Sequence, residues 1–307
     1  MKSGMLNAGS INRMVKTDPV GFVQACENRY HDRICSTVDF FFDKPGYQLV
    51  MLAGPSSSGK TTTAKLMTEE IIRRGRPAKI ISLDDFYLDQ STTFYFEDGT
   101  PDYETHEALD IPYICSCLSS LVKEGECMLP RFSFYTKKRE SELVKTRLLE
   151  DEIVIVEGLH AINPVITDKL DPDTLTRLYV SVSSRISEDG SDILFSKRDI
   201  RFVRRLIRDY NFRNADVDYT FLLWKGVQMG EARYIFPFRH LADYKIDSIH
   251  AYEPCLFKNK AIKLLDLIGE DSIYFNDAEK IINKLSYFES MDPSLIPDNS
   301  LLREFIG

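Results

Sequence analysis

The chain has 307 residues, of which 43% are hydrophobic and 28% charged, with a formal net charge of −8. That is enough chain for one large α/β domain with appendages, and the acidic balance argues against a nucleic-acid partner, which would call for a basic face. No apolar run approaches the roughly 18 residues that a membrane helix needs, and the opening MKSGMLNAGSINRMVK lacks the apolar core of a secretion signal. The six cysteines form no CxxC pair and have no histidine cluster beside them, so they read as free thiols of a reducing, cytoplasmic setting.

In chain order, residues 1–17 are polar and without period, which predicts a flexible tail. Asp18-Pro19 reads as an N-cap followed by proline in the first helical turn, opening an amphipathic helix through Phe22, Cys26 and Tyr30 that Pro45-Gly46 brings to an end. QLVMLA (48–53) is a continuous apolar run, the pattern of a strand buried on both faces. A glycine loop and a helix over 61–74 follow, with Gly75 as its stop. AKIISL (78–83), IVIVEG (153–158) and LYVSV (178–182) read as further buried strands, and 107–125 as a helix. Strands alternating with helices predict an α/β fold with a doubly wound parallel sheet flanked by helices. The stretch 126–150 is too polar for that sheet and reads as a protruding arm; 198–213 and 216–230 read as helices, and the chain from about 259 as helical with proline interruptions.

Gly54-Pro55-Ser56-Ser57-Ser58-Gly59-Lys60-Thr61 is a complete G-x-x-x-x-G-K-[ST] motif between a buried strand and a helix, the context a phosphate-binding loop requires. Its inward-facing N–H groups and the helix N-terminus make an anion hole. Lys60 adds a mobile positive charge for the β- and γ-phosphates, Thr61 supplies a hydroxyl for Mg²⁺, and Thr62 extends the set of nucleotide contacts. Carboxylates at the ends of neighbouring strands belong beside such a loop. Asp84 follows strand 78–83 and is the candidate base for an acceptor hydroxyl; strand 153–156 ends in Glu157-Gly158, with Glu157 the candidate metal acid; Asp85 reads as a helper or a structural cap.

Lys197, Arg198, Arg201, Arg204, Arg205 and Arg208 fall within twelve residues, with Arg198, Arg201, Arg205 and Arg208 on one helical face and Val203, Leu206 and Tyr210 on the other. A guanidinium row of this kind suits a lid over about 185–215 that neutralises charge on a transferring phosphoryl group. A GTPase-like switch would need N-K-x-D, and the nearest string, Asn259-Lys260-Ala261-Ile262, lacks the Asp. Together these features imply a Mg²⁺-dependent P-loop phosphotransferase built as a tail and helical extension over 1–45 and a kinase domain over 46–307.

GPSSSGKTTTAKL, ISLDDFYLD (81–89) and IVIVEGLHAINP (153–164), in that order and spacing, resemble the uridine kinase branch of the phosphoribulokinase/uridine kinase family; RRLIRDYNFR (204–213), YIFPF (234–238) and LIPDNSLLREFIG (295–307) are similar to its bacterial members. The resemblance implies ATP as phosphate donor with Mg²⁺ and the 5′-hydroxyl of a nucleoside, of uridine or cytidine type, as acceptor. It puts the base on Asp84, its companion aromatic on Tyr87, the metal-linked acid on Glu157, the lid arginines on Arg205 and Arg208 with Arg213 a weaker match, and an acidic ribose contact on Glu104. It allows a homo-oligomer. Phe132 and Lys137 occupy base-contacting positions where uridine–cytidine kinases carry Tyr and His, and Ala215 stands where a further arginine is usual. Other small alcohols (a purine nucleoside, a pentose phosphate or a pantothenate-like acceptor) and a nucleotide-binding regulatory protein remain open at this point.

Overall fold

A computed structural model describes residues 4–45, 48–89, 94–100, 102–133, 136, 138–188, 190 and 192–307. The chain opens with a short strand β1 (Met5–Asn7), then α1 (Ala8–Thr17) and α2 (Pro19–Phe42). Strand β2 (Gln48–Ala53) leads through the glycine loop into α3 (Lys60–Arg73), followed by β3 (Ala78–Ser82) and, after two 3₁₀ turns, α4 (Ile111–Glu124). The arm holds β4 (Glu126–Leu129), β5 (Phe132–Ser133), β6 (Lys138–Arg139) and β7 (Val144–Arg147). Next come β8 (Ile153–Glu157), the single turn α5 (Pro164–Thr167), β9 (Leu175–Ser181), β10 (Arg185–Ser187) and β11 (Ile193–Phe195). The chain ends with α6 (Lys197–Arg213), α7 (Val217–Gly230), β12 (Tyr244–Asp247), α8 (Glu253–Leu265), α9 (Phe275–Ser286) and α10 (Arg303–Ile306).

Five strands form one sheet in the order β12-β9-β2-β8-β3, every pair parallel. Side chains alternate between its two faces. Val50, Leu52, Ile153, Ile155, Leu178 and Val180 enter the core shared with α2, α3, α6 and α8, while Leu49, Met51, Val154, Val156 and Tyr179 enter the core shared with α4. Both faces are therefore apolar, which is why β2 reads as an unbroken hydrophobic run. The glycine loop leaves the C-terminal end of β2, the central strand, between the ends of β8 and β9.

Local signals account for many boundaries. Asp18 accepts the Gly21 N–H at 2.9 Å, with Pro19 in the first turn of α2. Ser196 and Asp199 form a reciprocal capping box on α6, which Asn214 ends at φ 51°. Residues 5–17 correct the expectation of a flexible tail: β1 pairs in parallel with β10, 180 residues later in the chain, and α1 buries Ala8, Ile11 and Val15. Its apolar residues are few but correctly spaced for one helix face, and the partner that orders them is remote in sequence. Strand β12 is a further element the sequence reading passed over, because YKID carries no long apolar run.

Candidate active site

The phosphate loop is shaped by close approach. A Cβ on Gly54 would lie 2.1 Å from the Val180 carbonyl oxygen, so only glycine lets the loop pass the end of β9. Gly59 adopts φ 85° before the first turn of α3, a conformation other residues reach only with strain. Lys60 folds back over the loop, its Nζ donating to the Pro55 carbonyl at 3.2 Å. The hydroxyls of Ser57 and Ser58 are buried without a hydrogen-bond partner and line an open cleft of about 930 Å³. Unpartnered buried donors in a concave site mark a place where a ligand supplies the acceptors.

Helix α6 fastens the loop in place. Arg204 is fully buried, pairs with Glu253 at 2.7 Å through both Nε and Nη2, and donates to the Ser57 carbonyl at 3.2 Å and the Ser248 carbonyl at 2.8 Å. Arg201 donates to the Ser56 carbonyl at 2.9 Å and pairs with Glu231, which in turn accepts the Ser56 N–H at 2.8 Å. Arg205 reaches the Ser56 hydroxyl at 2.9 Å and pairs with Asp209, which Arg208 also holds. The arginine row thus forms a packed wall of the cleft. Val203 and Leu206 are in the core as their spacing predicts, whereas Tyr210 is 43% exposed and Arg198 is exposed.

The two strand-end acids face the loop from the other side. Ser82, the last residue of β3, donates its hydroxyl to Glu157 at 2.8 Å and accepts the Asp84 N–H at 3.3 Å, so one side chain orients both. Burial raises the pKa of Asp84, and the Lys60 ammonium works against that rise. Burial and the Asp84 charge push Glu157 up to about 7, with Lys60 again opposing. These mutual influences place the ammonium and both carboxylates within one electrostatic neighbourhood. Asp85 accepts the Phe132 N–H at 3.4 Å and so fastens the arm.

Tyr87, Phe94, Asp102 and Glu104 also line the cleft. Glu104 lies 7% exposed with Oε2 unpartnered, and burial together with the Glu231 charge pushes it up to about 7. Its backbone is clamped: the N–H donates to Asp102 at 3.2 Å and the carbonyl accepts from His160 Nε2 at 2.8 Å. Burial drives His160 down to about 4, so the ring is neutral, and the bond to a carbonyl puts its proton on Nε2. A Cβ on Gly230 would stand 2.3 Å from the Glu104 Cβ; the helix end is bare there so that the Glu104 loop can pack on it.

The sequence model of the Phosphoribulokinase / Uridine kinase family matches residues 49–253, which span the phosphate loop, both acids and the arginine helix. The chain belongs to that family. It is 30% identical over 173 residues to a uridine kinase of Clostridium botulinum, covering 55% of this chain and 72% of that one. It is 24% identical over 209 residues to a uridine kinase of Deinococcus deserti, covering 68% and 91%. The solved structure of a possible uridine kinase from Bacillus stearothermophilus aligns with TM-score 0.47 and 17% identity, over 70% of this chain and 98% of that chain. The family and the P-loop make the chain an ATP-dependent kinase of a small alcohol acceptor.

The cleft gathers Ser56, Ser57, Ser58, Gly59, Lys60, Thr61, Asp84, Tyr87, Glu104, Glu157, Arg205 and Arg208 from the residues singled out by sequence. Gly54 and Pro55 underlie the loop, and the Thr62 hydroxyl is bound to Glu304 Oε2 at 2.7 Å. Phe132, read as a base contact, is 7% exposed and lies outside the cleft lining, its ring tilted at 51° against that of Tyr87 with centroids 5.6 Å apart. Lys137, like Phe134 and Tyr135, lies outside the described residues. Sequence reasoning missed the organising parts of Ser82, Arg204, Glu231 and Glu304. Arg204 was visible as one of a cluster, but helical spacing alone does not say which arginine turns inward. Among the described residues no helix is long and apolar enough to cross a membrane.

Proposed function

We propose that this kinase phosphorylates the 5′-hydroxyl of a nucleoside, of uridine or cytidine type, with ATP as donor. The observation that carries the reading is the pairing across one cleft of a phosphate loop and Lys60 with the half-buried carboxylate Asp84, backed by a buried acid, Glu104, where a ribose would lie. Asp84 accepts the proton of the attacking 5′-hydroxyl as the O5′–Pγ bond forms and the bond from Pγ to the bridging oxygen of ADP breaks. Lys60, Arg205 and Arg208 face the charge that develops on the transferred group. Glu104 accepts from ribose hydroxyls, and Tyr87 walls the acceptor against Asp84.

The donor set fits a hard divalent cation. Thr61 offers an exposed hydroxyl, and Glu157 and Asp84 offer carboxylate oxygens beside unpartnered serine hydroxyls in a cleft with room for phosphate oxygens and water. Thr61 and Glu157 would hold Mg²⁺, which when bound neutralises charge on the phosphate oxygens. Ser82 keeps Glu157 aimed into the cleft.

An acceptor panel with ATP and Mg²⁺, read by ADP release, tests the assignment: uridine, cytidine, adenosine, guanosine and inosine beside a pentose phosphate and a pantothenate-like alcohol. Turnover highest on the pyrimidine nucleosides is expected. Turnover confined to a non-nucleoside alcohol would overturn the acceptor while leaving the kinase in place.

A further inference from the structure

The segment 301–307 lies beyond the region that the family model matches, yet it is built into the donor end of the cleft. Leu301 is fully buried over the last glycine of the loop, where a Cβ on Gly59 would come within 2.5 Å of Leu301 Cδ1. Phe305 is fully buried, faces the Arg204 guanidinium at 5.2 Å, and its carbonyl accepts from Asn211 at 3.1 Å. Between these anchors Glu304 turns into the cleft. Its Oε2 accepts the Thr62 hydroxyl at 2.7 Å, and its Oε1 takes no hydrogen bond among the described residues.

The position of Thr62 gives the direction. Lys60, Asp84 and Glu157 mark the γ-phosphate end, and the loop and the start of α3 cradle the α- and β-phosphates. Thr62 is one residue beyond the metal-side Thr61 in the first turn of α3, so Glu304 meets the loop on its α-phosphate side, where the ribose of a bound nucleotide would follow, and its charge still reaches Glu157. A carboxylate repels phosphate oxygens but is a strong acceptor for hydroxyl donors. Beside it Phe212 lines the same cleft, 56% exposed, with Gly307 packed against its ring edge. An aromatic face left open at the mouth of a polar cleft suits a purine ring.

We propose that Glu304 accepts hydrogen bonds from the ribose hydroxyls of the donor nucleotide, with Phe212 against its base, so that segment 301–307 selects ribonucleoside triphosphates. This rests on the reading of the loop as the donor site and adds a specificity determinant to it.

Calorimetric titration of the full chain with ATP, 2′-deoxy-ATP and inorganic tripolyphosphate, each with Mg²⁺, tests it. The wild type should bind ATP more tightly than 2′-deoxy-ATP. Glu304→Gln should lose about tenfold in ATP affinity, the scale of one hydrogen bond to a charged group, bring ATP and 2′-deoxy-ATP level, and bind tripolyphosphate as the wild type does. Tighter binding of both ATP and tripolyphosphate by Glu304→Gln would show a carboxylate that merely opposes phosphate, and would overturn the proposal; so would unchanged discrimination. Phe212→Ala, which removes an exposed ring, gives a second reading independent of the Glu304 frame: weaker ATP with unchanged tripolyphosphate supports the seat, and unchanged ATP overturns it. A wild type that binds neither ATP nor tripolyphosphate would instead sink the donor-site reading itself.

Discussion

The two ends of the cleft are built on opposite plans. At the donor end the phosphate loop is over-determined: Arg201, Arg204 and Arg205 satisfy its carbonyl oxygens and a hydroxyl, Glu231 takes one of its N–H groups, and Leu301 covers its last glycine. There the Ser57 and Ser58 hydroxyls, which line the cleft, lack partners; at the acceptor end it is the carboxylates that are left short of them. Glu104 is buried with a free oxygen, and Glu104 and Glu157 both sit near pKa 7 in place of the ordinary carboxylate range. The first plan spends interactions on holding a shape that must meet the same triphosphate each time. The second keeps carboxylates in surroundings that favour their neutral form until a substrate supplies donors, which is how a buried acid acquires affinity for a hydroxyl. Substitutions at the donor end should therefore cost stability, and those at the acceptor end should change chemistry and leave stability intact or raised.

The sharpest way to break this contrast is Arg204→Met. It leaves the Glu253 carboxylate buried and unpaired and frees the Ser57 carbonyl, so a loss of about 3–5 kcal/mol in urea unfolding is expected; a loss below about 1 kcal/mol would mean the loop does not depend on its arginine frame. Asp84→Asn should do the reverse. Turnover should fall on the order of 10³-fold, with ATP affinity by titration and the melting temperature retained, and a mutant that turns over normally would remove Asp84 from the mechanism.

Glu104→Gln probes the acceptor end through pH. In the folded chain Glu104 titrates near 7, above its value of about 4.5 when unfolded. A raised carboxylate stabilises the fold fully below the unfolded value and loses that contribution as pH climbs through the folded value. The neutral amide escapes this loss, so its advantage over the wild type should grow between pH 4.5 and pH 7 and then level off, reaching at most about 3 kcal/mol. Melting temperatures of both proteins across that range give the curve; an advantage that shrinks with rising pH would contradict the picture of an acid held in its neutral form. The smallest effect belongs to Tyr30→Phe, which deletes a buried hydrogen bond of 2.7 Å from α2 to Thr63 in the first turn of α3. Thr63 keeps its bond to the Gly59 carbonyl, so about 1 kcal/mol is expected, read as a shift of the unfolding midpoint with nucleotide affinity unchanged.

The sequence by itself determined the parts whose signals are local. Apolar runs identified β2 and β8 in full and β9 by its second half, because strands covered on both faces need apolar residues at nearly every position; β3 was read as a buried strand too, but it lies at the sheet edge and is half-buried, with Lys79 reaching out to Glu152. The phosphate loop, its lysine and the strand-end acids Asp84 and Glu157 were legible for the same reason: each is specified by residues within a few positions of one another. Only the tertiary structure decided the rest. Whether Arg204 or Arg198 turns inward depends on a Glu253 that arrives 49 residues later. The order of residues 5–17 depends on β10, 180 residues away from β1. Glu304 enters the cleft by closing a loop of 242 residues onto Thr62. Such contacts become favourable only after the chain has already closed. Local spacing in residues 8–15 and the segment 295–307 can mark a helix or a likeness, but neither says which distant residue it meets, and that is why the acceptor wall and the clamps on the phosphate loop had to be read from the fold.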